Sequence, residues 1–291
     1  SGLFATGGEM NKEIYEETEI FEPLADNKKN PLPEKVSLQK YCPTVMNQGV
    51  QGSCVAWASA YAARTIIEAQ RTGQTPNSIR FSPAFMYNQI SIDHQTCQGS
   101  YIKYAMDNMM EVGAVPFNDF KYTDQSCSEK PSARLKQDAK AFKISGFQRL
   151  TDEKRGKVHE ILGMKQNLAK GSPIIIGMMV GGSFMNAMMG KEFWNPTSAD
   201  YNKQGFGGHA MCVVGYDDYY EGGSFLIMNS WGTDWGKKGF AWVRYSDFKE
   251  FNVEVAVADG EKCERCWMYS TTVGEDKENP TICHKCSEAL R

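Results

Sequence analysis

No apolar run in this chain approaches the roughly 20 residues needed to cross a bilayer as a helix. The longest, such as Pro-Ile-Ile-Ile-Gly-Met-Met-Val at 173–180, has the length of a strand. Nor is there an excess of either charge. A net charge of −3 over 291 residues gives no pull toward nucleic acid or an anionic membrane. Internal repeats are missing, and so is a secretory leader. The chain opens on Ser-Gly-Leu, which reads as a processed or truncated start with any targeting segment outside the sequence. What is present is bulk: 41% hydrophobic and 12% aromatic residues suffice for one large domain or two smaller lobes.

The nine cysteines divide the chain. Cys42, Cys54, Cys97, Cys127 and Cys212 are scattered, whereas Cys263, Cys266, Cys283 and Cys286 crowd the C-terminal end. Three segments follow: an arm over 1–33, a body over 34–255 and a tail over 256–291. The arm is Glu-rich and ends in two prolines, a composition that suits a surface-hugging segment better than an independent fold. In the body, Ser53 is placed to cap a long helix, Ala56, Ala60, Ile66 and Ile67 give it apolar faces, and Gly73 ends it. Further helices are expected near 83–90, across 101–112 and over about 157–170. Strand-like runs begin at Pro173, His209, Ser224 and Gly239, separated by Gly- or Asp-rich turns. Helices first and strands second predict an α+β protein of two lobes with a cleft between them.

Cys54 falls in the first turn of the long helix. There the unpaired amides and the positive end of the dipole favour a thiolate. A thiolate that attacks a carbonyl needs a base, oxyanion donors and a group to orient the base. Gln48 offers a side-chain amide from a glycine-flanked loop just upstream. His209 stands at the mouth of an apolar strand, and Asn229 ends another beside Trp231 and Trp235. Singly, each has an ordinary reading: a buried thiol, a core histidine, a turn former, a loop residue.

Taken in order, these segments resemble the papain-like cysteine peptidases. The nucleophile segment of that family is matched by Asn47, Gln48, Gly49, Gly52, Ser53, Cys54 and Ala56. Its histidine strand is matched by His209, Ala210, Val214, Gly215 and Tyr216. Its asparagine motif is matched by Asn229, Ser230, Trp231, Gly232, Trp235, Gly236 and Gly239. The likeness runs from about Leu32 to about Tyr245. It implies a helical lobe facing a β-barrel-like lobe, with Cys54 as nucleophile and His209 as its ion-pair partner and general acid. Asn229 would orient the imidazole under the shield of Trp231, and Gln48 with the Cys54 amide would form the oxyanion hole. Gly99 and Ser100 take the place of the segment that pairs with extended substrate, with Gly208 and Trp231 as further substrate contacts. Ser100 replaces a glycine there and is expected to narrow the groove. The Met-rich stretch 177–189 is core filler or, less simply, the lining of a deformable pocket.

The chain departs from the family at several points. Gln51 stands where a cysteine is usual, so the disulfide of that loop cannot form, and Cys97 aligns with its lost partner. Cys127 aligns with a cysteine whose usual partner is replaced by Ile90. The resemblance thus leaves Cys97 and Cys127 orphaned near one edge, and a Cys97–Cys127 disulfide is expected. The family's long helical prodomain does not fit into 33 residues, although an arm of that length can lie across a cleft.

The tail spaces its cysteines C-x2-C-x16-C-x2-C, a set of four thiolates suited to tetrahedral zinc, with two disulfides as the alternative. Beyond the cysteines it resembles the C-terminal zinc finger of bacterial isoleucyl-tRNA synthetases, where the finger assists tRNA binding. The expected metal ligands are Cys263, Cys266, Cys283 and Cys286 in a zinc-ribbon-like module, with His284 a bystander. The tail is not basic, which makes nucleic acid a weak candidate partner. A disulfide favours a secreted or periplasmic setting, whereas a four-thiolate site favours the cytoplasm. The expected function is a cysteine endopeptidase acting on peptides or proteins through a thioester on Cys54, with zinc serving structure and not catalysis. The alternatives are a non-catalytic peptide-binding module and nucleic-acid binding through the tail.

Overall fold

The computed structural model describes residues 4–21, 23, 31–152, 154, 156–258, 261–262, 269–270, 273 and 275–290. The arm enters with β1 (Gly8–Glu9) and α1 (Lys12–Glu16), the latter capped by the Asn11 side chain accepting from the Ile14 amide. After β2 (Lys35–Ser37) comes the long helix, which has three parts. It starts as α2 (Cys54–Ala56), passes through a π-helical stretch at Trp57–Arg64 and continues as α3 (Thr65–Thr72). Gly73 ends it in the left-handed region at φ 69°, as its lack of a Cβ predicts. Ser53 stands at the N-cap position but its hydroxyl caps nothing. The expected cap is overridden because that hydroxyl bonds to Tyr122 instead.

The helical lobe is completed by α4 (Pro76–Ile79), α5 (Pro83–Ile90), β3 (Ser100–Tyr101), α6 (Ile102–Glu111) and α7 (Ala133–Ala139). A disulfide joins Cys97 and Cys127 at the lobe's edge, the pairing that the two orphaned positions imply.

The second lobe begins with β4 (Phe147–Arg149), α8 (Gly156–Ala169), β5 (Ile174–Val180) and α9 (Gly182–Asn186). It continues through β6 (Gly207–Asp217), β7 (Ser224–Met228), β8 (Phe240–Arg244), α10 (Tyr245–Phe251) and β9 (Asn252–Ala258). The sheet runs β4-β9-β5-β6-β7-β8, with β2 also paired to β6. Among the described residues it does not close into a barrel. Each edge is covered by extended chain instead. On β4, the Arg149 amide donates to Glu19 O and the Phe21 amide to Arg149 O, so the arm extends the sheet. On β8, Trp242 pairs with Glu192 and Trp194. Met178 and Met188 are buried in the core, which favours the filler reading of the Met-rich stretch.

In the tail, β10 (Glu261–Lys262) pairs antiparallel with β11 (Tyr269–Ser270), and α11 (His284–Glu288) closes the chain.

One turn bears directly on the position of Asn229. Its amide donates to the carbonyl of Gly239, which adopts φ 90° with Val45 packed where a Cβ would lie. Gly239→Ala should therefore cost about 1–3 kcal/mol in backbone strain alone. Urea unfolding checks this as a lower midpoint with an unchanged slope.

Candidate functional site

The site is built where the start of α2 meets the start of β6. Cys54 is fully buried, and its Sγ accepts a hydrogen bond from the Ala210 amide at 3.3 Å. That bond places the sulfur beside the residue following His209. His209 is equally buried, and its Nε2 lies 2.7 Å from Asn229 Oδ1. The amide oxygen can only accept, so Nε2 carries the proton and Nδ1 is left as the nitrogen able to exchange one. Nδ1 is buried without a hydrogen-bond partner among the described residues. Trp231 stacks on the imidazole with centroids 4.4 Å apart and an interplanar angle of 22°. The Asn229–Ser230 pair reaches further. The Ser230 hydroxyl donates to Gln48 Oε1 at 2.7 Å, and the Gln48 amide donates to Ser230 O at 2.9 Å. Gln48 is thereby fixed with its NH2 group free to point elsewhere.

That group points at the arm. Gln48 Nε2 donates to Gln51 O at 2.9 Å and to the Thr6 carbonyl at 3.3 Å. The arm threads the whole groove. Phe4 stacks on Trp231 at 4.7 Å, and Trp231 Nε1 donates to Ala5 O at 2.7 Å. The Gly7 amide donates to Gly208 O, and the Ser100 amide donates to Gly7 O at 3.0 Å. Strand β1 then runs parallel to β3, Gly8 opposite Ser100 and Glu9 opposite Tyr101. Two glycines occupy the narrowest point for steric reasons. A Cβ on Gly7, at φ 136°, would lie 2.3 Å from Gly52 O, and one on Gly208 would lie 2.0 Å from Gly8 O. Gly99, Ser100, Gly208 and Trp231 thus all line the groove, and all of them contact the arm.

Ser100 does not narrow that groove with its side chain, contrary to expectation. It is buried, and its hydroxyl turns inward to Ile90 O at 2.8 Å. Residues to which the sequence reading gave no role are Thr6, Gly7 and Gly8 of the arm, Ser230, which it named only as a motif match, and Tyr122, whose hydroxyl bonds to Gln48 O. The Gly-Gly pair inside a charged arm was the one available signal.

Electrostatics follow from the covered groove. Burial drives the Cys54 thiol up to about 12, outweighing the Ala210 amide that favours thiolate. Burial also drives His209 down to about 4, against the opposing bond to Asn229. Between these limits the closed site holds a neutral thiol and a neutral imidazole.

Of the four expected zinc ligands, Cys263 and Cys266 lie outside the described residues. Cys283 and Cys286 are buried at the start of α11, the Cys286 amide donating to Cys283 O at 2.9 Å. Two buried thiols one turn apart suit one knuckle of a thiolate site. His284 is exposed and turned to Glu288 at 3.2 Å, away from a ligand role.

Residues 32–258 match the model of the papain family cysteine proteases, and residues 260–289 match the zinc finger found in FPG and IleRS. An uncharacterized peptidase C1-like protein of Acanthamoeba polyphaga mimivirus is 28% identical over 72% of the chain and 66% of its own length. Cathepsin K of Mus musculus is 27% identical over 72% of the chain and 59% of its own length. The chain therefore spans less than two thirds of these relatives. The isoleucine–tRNA ligase of Synechocystis is 56% identical over 43 residues, which is 15% of the chain and 4% of the ligase. Among solved structures, Xylellain, a cysteine protease from Xylella fastidiosa, superposes with a TM-score of 0.70 at 25% identity. That match covers 89% of the chain and 96% of Xylellain.

A neutral, covered thiol should react slowly. Iodoacetamide labelling of Cys54 at pH 7 is expected to run at least tenfold below that of an unperturbed thiol, since the thiolate fraction falls about a thousandfold and the greater nucleophilicity of a high-pKa thiolate offsets only part of it. Mass spectrometry of the Cys54 peptide measures it.

Proposed function

Because the chain belongs to the papain family of cysteine proteases, we propose that it is an endopeptidase acting through a thioester acyl-enzyme on Cys54. The observation that carries this reading is the joint between the lobes. The Ala210 amide sits on the sulfur, and the neighbouring imidazole is oriented by Asn229 with Nδ1 left to take and return a proton. In the reaction the sulfur attacks the scissile carbonyl, and the charge on its oxygen is met by Gln48 Nε2 and the Cys54 amide. As the sulfur attacks, His209 Nδ1 takes the Cys54 thiol proton and then gives it to the leaving amine, and water cleaves the thioester with His209 as base. Trp231 keeps water from the Asn229 bond.

The arm is read as an occupant of the substrate groove, since its Thr6 carbonyl accepts from the proposed oxyanion donor. Its anchor is weak. Helix α1 has five residues, too short to persist alone, and a cavity of about 650 Å3 lies beside it between Met10, Tyr15, Arg149 and Glu254. Residues 4–9, N-terminal to that anchor, are the part with which substrate competes.

The tail is read as holding structural zinc on Cys263, Cys266, Cys283 and Cys286. Bound there, the metal would tie the two knuckles together. A non-basic tail gives no separate support to nucleic-acid binding.

Three outcomes are expected. Cys54→Ala lowers peptide turnover about a thousandfold or more; unchanged turnover would end the reading. Gly7→Val, which drives a branched Cβ into Gly52 O, expels the arm and raises both turnover and Cys54 labelling about tenfold by population shift. Elemental analysis finds one zinc per chain, and Cys283→Ser together with Cys286→Ser abolishes it while peptide turnover stays within twofold.

A further inference from the structure

The loop that carries Gln48 is not held as in the family it belongs to. Gln51 occupies a position where a cysteine is usual, so no disulfide ties this loop down. The segment 122–124 is laid along the loop instead, and it bonds to Gln48, Val50, Gln51 and Ser53. The Val50 amide donates to Asp124 Oδ2 at 3.0 Å, and Gln51 Nε2 donates to the Thr123 carbonyl at 3.4 Å. The Tyr122 hydroxyl donates to the Gln48 carbonyl at 2.6 Å. That uses its one proton, so the Ser53 hydroxyl, 2.8 Å away, must donate to Tyr122. From the other side, the Gly52 amide donates to Cys97 O at 2.9 Å, and Cys97 is joined to Cys127, just beyond the same segment. The Tyr122 ring is set edge-on against Trp57 at 4.8 Å and 74°.

One hydroxyl therefore links the backbone of Gln48 to the side chain of Ser53. Gln48 supplies the side-chain amide of the oxyanion hole, and Ser53 immediately precedes the Cys54 amide, the second donor. We propose that Tyr122 is a positioning residue for the oxyanion hole, setting the separation of its two donors through Gln48 and Ser53. The diversion of Ser53 from helix capping has its reason here: the hydroxyl holds the distance between the donors. The inference rests on the peptidase reading of Cys54. Geometry of this kind matters because a misplacement of about 1 Å costs on the order of a hundredfold in rate, and loss of one oxyanion donor costs about a hundred- to a thousandfold. Loosening both donors while deleting neither is expected to fall below those limits.

The test is Tyr122→Phe, which removes only the hydroxyl, in the full chain beside the wild type and the neighbouring exposed Lys121→Ala. Three quantities are measured for each: kcat and KM on a peptide substrate, and the rate of Cys54 alkylation by iodoacetamide, which needs no oxyanion hole. Tyr122→Phe should lose about tenfold in kcat with KM within twofold and an unchanged alkylation rate, while Lys121→Ala matches the wild type. An unchanged kcat overturns the proposal. So does a fall in kcat and alkylation in equal proportion, which marks a structural role. A wild type that alkylates but cleaves no peptide sinks the peptidase reading itself, an outcome distinct from either.

Discussion

One hydrogen bond joins the two lobes at the point where chemistry is possible: the Ala210 amide to Cys54 Sγ. The helix can begin at Cys54 only because the loop before it is pinned from both sides, by Ser230 on one lobe and by the segment 122–124 on the other. The strand can deliver His209 only because β6 is buried between β5 and β7 in the sheet. Three groups follow from that joint. Asn229 faces the ring, Trp231 covers it, and Gln48 stands one residue from the bridge between Asn47 and Trp231. The site is thus a property of the seam and of neither lobe alone.

The arm changes what that seam can do. Catalysis of the proposed kind needs a charged pair, and charge needs water or dipoles to support it. With Phe4 on Trp231 and Gly7–Gly8 against Gly52 and Gly208, water is displaced and the neutral forms win. The sign of the coupling is fixed. A histidine whose pKa is lowered by burial favours the covered state when neutral, so cover weakens as pH falls below the ordinary histidine value. A thiol raised by burial makes cover weaken as pH rises above the ordinary thiol value. Between them the covered state is favoured, by the same burial that keeps Cys54 a neutral thiol.

Much of this was legible before any coordinates. Period, glycines and Asp-rich turns foretold the helix ended by Gly73 and the strands β5 to β8, because each buries an apolar face wherever the rest of the chain lies. The motif residues converge because their spacing belongs to a family whose fold is shared. What escaped was set by contacts between distant segments. Ser53 has the chemistry of a cap, and only Tyr122, brought in through the loop that ends at Cys127, draws its hydroxyl away. Ser100 looked like an obstacle, yet backbone direction turns it toward Ile90. The open sheet had no local signature, since edge cover by residues 19–21 and 192–194 depends on where the arm and a loop finally pack.

The coexistence of a disulfide with unpaired thiols, odd on composition alone, has a physical basis in the body. Thiol oxidation and exchange proceed through thiolate and need access. Cys42 and Cys212 are both held as thiols by burial, which raises each above the ordinary range. Cys54, with the arm lying in the groove, is raised by burial in the same way. Under the proposed displacement of residues 4–9, one motion would both open the groove to a peptide and bring that thiol toward solvent. A single set of contacts, from Phe4 on Trp231 to Glu9 beside Tyr101, governs both.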